Sequence, residues 1–318
     1  MKKENPALIK VQNLKKYFYL KSGLFFQKGI LKAVDGVDFK IEKGKTLGLV
    51  GESGSGKTTL GRLVLRLIKP TEGKIYFEGE DLVNMPNPRL RNLRKKMQII
   101  FQDPYSSLNP RLKIGEIIEE PLKVHKIGNK KERKEKIDKL LEFVGIDPSL
   151  KNKYPHEFSG GQRQRIAICR ALATSPLFIV ADEPVSSLDI SIQAQILNLL
   201  LELQKKFNLT YLFISHDLAV VKHISDEVAV MYAGQFVEFG KTEEIYNNPL
   251  HPYTNLLLSS SKKRKMKSSF DLSHIFSEKE EGCPFYPQCV KRKNMCKHNK
   301  PNLIELPDGR KIRCFLYG

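Results

Sequence analysis

"KTLGLVGESGSGKTTLGRLVLRLI", residues 45–68, decides how this chain must fold. Its first part is a short apolar run ending in glycine, the pattern of a buried strand, and from Lys57 apolar residues recur at helical spacing. Between them Gly51 to Thr58 fit G-x-x-x-x-G-K-[ST]. A loop of this composition cradles phosphate. Gly51, Gly54 and Gly56 let backbone N–H groups close around phosphate oxygens, and the helix start adds positive potential. Lys57 is expected to reach the β and γ phosphates and the Thr58 hydroxyl to ligate Mg²⁺, with Glu52, Ser53, Ser55 and Thr59 completing the nucleotide contact.

Outward from this loop, strand and helix patterns alternate. "MQIIFQD" (97–103), "LFIVADEP" (177–184) and "TYLFISHD" (210–217) read as buried strands, and "SIQAQILNLLLELQKKF" (191–207) as an amphipathic helix. "EVAVMYAGQFVEFG" (227–240) reads as a hairpin with glycine at its turn. Between Gln102 and Ser159 the pattern is mainly helical, which points to an inserted subdomain. The alternation predicts the α/β class with a largely parallel core sheet. "SKKRKMKSS" (261–269) is a polar, basic linker, and a cysteine-bearing tail follows it.

Two further stretches carry chemistry. "FIVADE" ends an apolar strand in paired carboxylates. Adjacent strand residues point to opposite sides, so Asp182 is assigned to Mg²⁺ and Glu183 to polarising the attacking water. "FSGGQRQRIAICRALATSP" (158–176) opens a helix at Ser159, a good N-cap, followed by two glycines. Its free N–H groups make a second anion site, 102 positions after Lys57. Cys169, on an apolar face of that helix, is core.

A single nucleotide needs only one such helix start, and the second is what the resemblance explains. With FSGGQ standing where the signature reads LSGGQ, the chain resembles the ATP-binding cassette (ABC) family. There two cassettes sit head to tail, and each ATP lies between one phosphate loop and the other cassette's signature. The resemblance implies a P-loop NTPase cassette with a RecA-like core, an antiparallel β subdomain and a helical subdomain at about 103–170. It implies that Ser159, Gly160, Gly161 and Gln162 contact nucleotide, and that Gln102 senses Mg²⁺ and faces the membrane partner. Asp189, in SSLD, matches the loop that crosses the dimer interface, and His216 the histidine that contacts the γ phosphate. Phe18 is the expected adenine-stacking aromatic, with Tyr17 as the alternative. "VGESGSGKTTLGR", "DEPVSSLDISIQAQILNLL", "LTYLFISHDLAVVKHISDEVAVMYAGQ" and "HPYTNLLLSS" are similar to the ATPase subunits of dipeptide and oligopeptide importers, most to the second, F-type member of the pair.

From this resemblance the cassette is expected over 1–255 and the tail over 256–318. The function is then ATP hydrolysis that energises import of di- or oligopeptides. Expected partners are two transmembrane permease subunits, a second related ATPase forming a heterodimer, and an extracytoplasmic substrate-binding protein, with the chain peripheral on the cytoplasmic face of the membrane. Importers of nickel or oligosaccharide belong to the same family. A soluble cassette ATPase acting on nucleic acid or ribosomes is the rival suggested by a net charge of +19. Such proteins generally carry two cassettes or a long coiled-coil insertion, so no nucleic-acid partner is expected.

No secretory leader and no transmembrane run is read from the sequence, which argues against disulfides. Yet Cys283, Cys289, Cys296 and Cys314 fall within the last 36 residues, spaced C-x5-C-x6-C-x17-C. Zinc sites more typically show C-x2-C pairs. Four thiolates can hold a [4Fe–4S] cluster, and the resemblance implies one here, with His298 nearby but not needed. With few apolar residues, the tail is read as a metal-bound staple whose loss leaves nucleotide binding unchanged.

Overall fold

A computed structural model describes residues 7–20, 29–262 and 282–318. Residues 263–269 of the basic linker lie outside them. The chain divides into two compact units, Met1–Ile41 with Thr46–Val83 and Ile214–Gly318, and Glu42–Lys45 with Asn84–Phe213.

In the first unit the decisive apolar run forms the strand Thr46–Val50, buried throughout. It runs parallel to Glu227–Tyr232, with Leu49 opposite Ala229 and Val50 opposite Val230. Strands covered on both faces are apolar at every position, which explains why TLGLV shows no alternation. Glu227–Tyr232 and Gln235–Lys241 form the predicted hairpin. Ala233 (φ 45°) and Gly234 (φ 80°) both take left-handed backbone, as a two-residue hairpin turn requires. A second sheet orders Gly29–Glu42, Ala7–Leu20, Glu72–Phe77 and Glu80–Asp81, and Ile9 of the second strand pairs antiparallel with Phe77 of the third.

The helix opened by the phosphate loop is shorter than its apolar spacing predicts. It spans Lys57–Val64 rather than running on to Ile68. Arg66 adopts φ 54°, its N–H donates to the Leu63 carbonyl at 2.8 Å, and the Leu67 N–H reaches the Arg62 carbonyl at 2.9 Å. This paired closure ends helices, here with arginine where glycine is usual.

The C-terminal residues 282–318 belong to this first unit. Ile304–Glu305 and Lys311–Ile312 form a small hairpin, and Ile312 pairs antiparallel with Glu238. Ile312 is fully buried. Arg310 ties the hairpin down, donating to Asp308 at 2.7 Å and to the Asn248 carbonyl at 2.8 Å. The tail therefore draws stability from docking on the unit's sheet, which its low apolar content did not suggest.

The second unit holds Met97–Ile100 parallel to Phe178–Asp182, with Ile99 opposite Val180, and Thr210–Ile214 on the other side of the latter. Its helices Ile114–Val124 and Lys130–Phe143 lie in the stretch predicted to be helical, and Gly160–Leu172 is the helix predicted to open at Ser159. Lys130–Phe143, though mostly charged, buries Ile137, Leu140 and Leu141 on one stripe, and Asn129 caps it by accepting the Lys131 and Glu132 N–H groups. Cys169 is fully buried, as read.

Candidate nucleotide site and cysteine pocket

The first unit carries the phosphate loop. Gly56 sits at φ 106°, and a Cβ there would stand 2.0 Å from the Ala33 carbonyl oxygen, so no other residue fits. It stands at the N-cap of the helix Lys57–Val64 with no side-chain cap hydrogen bond. Lys57 is buried, and its ammonium donates to the Gly51 and Glu52 carbonyls at 2.8 Å each. Ser53 and Gly54 are exposed, Ser55 is buried, and Thr58 and Thr59 are half-buried in the first helical turn. The Gly234 N–H donates to the Ser55 carbonyl at 3.0 Å, and the Glu52 N–H to the Tyr253 hydroxyl at 2.9 Å.

The two candidate aromatics differ in their surroundings. Phe18 is exposed, with the Lys16 ammonium 5.0 Å from its ring centroid. The Tyr17 hydroxyl donates to Asp35, and burial together with that carboxylate raises its pKa. His216 is exposed just past the strand Thr210–Ile214, next to Asp217, whose carboxylate caps the helix Leu218–Ile224.

The second unit carries the carboxylates. Asp182 is buried at the last position of its strand. Glu183 lies beyond it at φ 47°. Strand alternation therefore does not separate the two acids. A left-handed step does, at a strain cost of roughly 1–3 kcal/mol of the kind held at functional sites. The Gln102 side-chain amide donates to Glu183 Oε2 at 3.0 Å, so these two predicted residues are brought together. At the signature, the Ser159 hydroxyl accepts the Gln162 N–H at 3.4 Å, and the Ser159 N–H donates to Gln162 Oε1 at 3.0 Å, a capping box. A Cβ on Gly161 would meet Ile192 at 2.6 Å, while Gly160 has room. Phe158 is buried, so its departure from leucine falls in the core. Asp189 is exposed at the start of the helix Ile190–Phe207.

Cys283, Cys289, Cys296 and Cys314 line one cavity with His251, Phe285, Tyr286 and Phe315. Among the described residues, no three His, Cys, Asp or Glu side chains are drawn close enough to form a metal site as they stand. The metal-bound tail of the sequence reading is thus a shared thiol pocket here. Burial pushes the Cys283 thiol up to about 11, and the other three thiols reinforce the shift. Four cysteines are the donor type that can hold a cationic centre once ionised, but burial favours the neutral thiols as they stand.

Sequence reasoning missed Tyr253 and Phe285. Tyr253 lies in HPYT, whose local spacing signals no contact with the phosphate loop, and the turn signal P-D-G at 307–309 is the feature that points to the docked hairpin.

This phosphate loop, the strand-end acids and the second glycine-rich helix start define an ATPase of the cassette class. Residues 34–186 match the ABC transporter family, and residues 237–296 match the oligopeptide/dipeptide transporter C-terminal region. The oligopeptide transport ATP-binding protein AppF of Bacillus subtilis is 51% identical, covering 98% of each chain. The dipeptide transport ATP-binding protein DppF of Haemophilus influenzae is 48% identical, also over 98% of each. The ATP-binding cassette MJ0796, solved as a post-hydrolysis dimer bound to ADP and Pi, superposes with a TM-score of 0.66 at 30% identity, covering 74% of this chain and 98% of that one. The chain belongs to the ABC transporter family as an ATP-binding, ATP-hydrolysing subunit.

Proposed function

We propose that this chain energises the import of di- or oligopeptides. The match of residues 237–296 to the oligopeptide/dipeptide transporter C-terminal region carries this reading, and the names of the full-length relatives support it. No helix among the described residues is long and apolar enough to cross a membrane, and in this reading the path for cargo comes from other chains. Two permease subunits, a second related ATPase and an extracytoplasmic binding protein fill that need, with this chain on the cytoplasmic face. The functional division is a cassette over 1–255, with its helical part at about 103–170, and a tail over 256–318.

In this reading Lys57 and the N–H groups of residues 51–59 hold the β and γ phosphates. Thr58, Asp182 and Gln102 serve Mg²⁺, which neutralises phosphate charge when bound. Glu183 orients and deprotonates water, and His216 contacts the γ phosphate. Phe18 stacks on adenine, because it is exposed while the Tyr17 hydroxyl is engaged by Asp35. Ser159, Gly160, Gly161, Gln162 and Asp189 act across a pair of cassettes. The four tail cysteines hold a [4Fe–4S] cluster as a structural staple.

Reconstitution with its permeases and partner ATPase in lipid vesicles tests the reading. A defined tetrapeptide delivered by the binding protein should stimulate ATP turnover and accumulate inside. Stimulation by nickel or an oligosaccharide but not by peptide would overturn the cargo assignment.

A further inference from the structure

A run of buried aromatic residues connects the cysteine-bearing segment to the phosphate loop. The buried Glu238 carboxylate accepts the N–H groups of Leu250 and His251, both at 2.9 Å. His251 Nδ1 in turn accepts the Tyr253 N–H at 3.0 Å, which fixes the start of the helix Pro252–Lys262. Tyr253 is fully buried, and its hydroxyl accepts the N–H of Glu52, the second residue of the loop, at 2.9 Å. Its ring meets Tyr232 edge-on at 4.6 Å and Phe285 edge-on at 5.4 Å. Phe285 also stands edge-on to Tyr232 at 5.4 Å, and it follows Cys283 by two positions. Edge-to-face aromatic groups hold one another in orientation as well as burying area.

We propose that Tyr253, seated by Phe285, is a positioning residue for the phosphate loop, so that docking of the C-terminal segment sets the affinity for ATP. The hydroxyl fixes the direction of the Glu52 peptide and hence the entry of the chain into the loop. Without it, the loop spends less time in the phosphate-binding form, and apparent affinity falls by that fraction. This replaces the expectation that the tail leaves nucleotide binding untouched. It rests on the phosphate loop being the ATP site.

The test uses the full-length chain, with calorimetric binding of a non-hydrolysable ATP analogue and steady-state ATPase kinetics. Tyr253→Phe keeps the ring and removes the hydroxyl. It should raise both Kd and KM about three- to tenfold, the range for one lost hydrogen bond, with kcat near the parent value. Phe285→Leu should move the same quantities in the same direction. The double variant should be no weaker than the poorer single one, because both act through one bond. Val290→Ala, 93% exposed in the same segment, should bind as the parent does. If folded Tyr253→Phe binds with parental affinity, the proposal is wrong. Lys57→Ala separates the two readings: if it too binds normally the ATP site is misassigned, and if it alone loses binding only the positioning role falls. Should Phe285→Leu not fold, hydrogen exchange at the Glu52 amide in Tyr253→Phe decides, with faster exchange expected and unchanged exchange overturning the idea.

Discussion

The Gln102 side-chain amide donates to Glu183 Oε2 at 3.0 Å, although 81 positions separate them in sequence. The bond holds a carboxylate whose backbone is already locked in a left-handed conformation. Glu183→Gln should therefore bind ATP normally while turnover drops by about 10²–10⁴, the usual contribution of a positioned base. Gln102→Ala, which frees the carboxylate without removing it, should cost less, about tenfold in kcat. Parallel measurement of ATP affinity and turnover checks both, and full turnover in Glu183→Gln would remove it from the mechanism.

The signature predicts dependence on a second cassette. Ser159 and Gly161 stand at a capped helix start, the end of the helix that carries positive potential. The isolated chain should show weak self-association and low ATPase activity, and co-purification with a related partner and the permeases should raise turnover. Light scattering alongside kinetics provides the check. Full-rate hydrolysis by a monomer would sink the shared-site argument.

The proposed cluster predicts iron. Protein purified without exposure to air should be brown and hold about four iron atoms per chain, as one Cys₄-ligated cluster requires. Serine at any one of Cys283, Cys289, Cys296 or Cys314 should lose the colour and expose the tail to protease. Stoichiometric zinc in place of iron would defeat the cluster while leaving a metal staple.

His251 predicts a pH dependence of stability. Burial lowers its pKa from 6.5 to about 4, so the unfolded chain takes up a proton first as pH falls. Its contribution is complete above 6.5 and lost on acidification towards 4. The loss is on the order of 3 kcal/mol across that window, at about 1.4 kcal/mol per unit. His251→Asn retains an acceptor for the Tyr253 N–H and does not titrate. Urea midpoints of the two proteins should converge as pH drops from 7 to 4, and parallel curves would exclude His251 as the cause.

The phosphate loop, the paired acids that end FIVADE and the Ser159 helix start were legible because each depends on local spacing. A glycine that must take positive φ, a capping serine and an apolar run all act within a few residues of themselves. The same holds for the 233–234 turn and for Cys169 as core.

What the sequence by itself determined, then, is the cassette class and the position of the loop and helix start proposed to meet phosphate. Tertiary structure alone decided how those groups are held. Alternation says which side of a strand a residue faces but not where the strand stops, so the left-handed turn at Glu183 and its partner Gln102 were invisible. The helix after the phosphate loop ended early because a backbone closure at Arg66 overrode an apolar pattern that continued. Ile312 joined a sheet edge, and Tyr253 reached Glu52 across 201 positions. Such long-range contacts depend on which surfaces remain uncovered after packing, a property that linear periodicity does not encode.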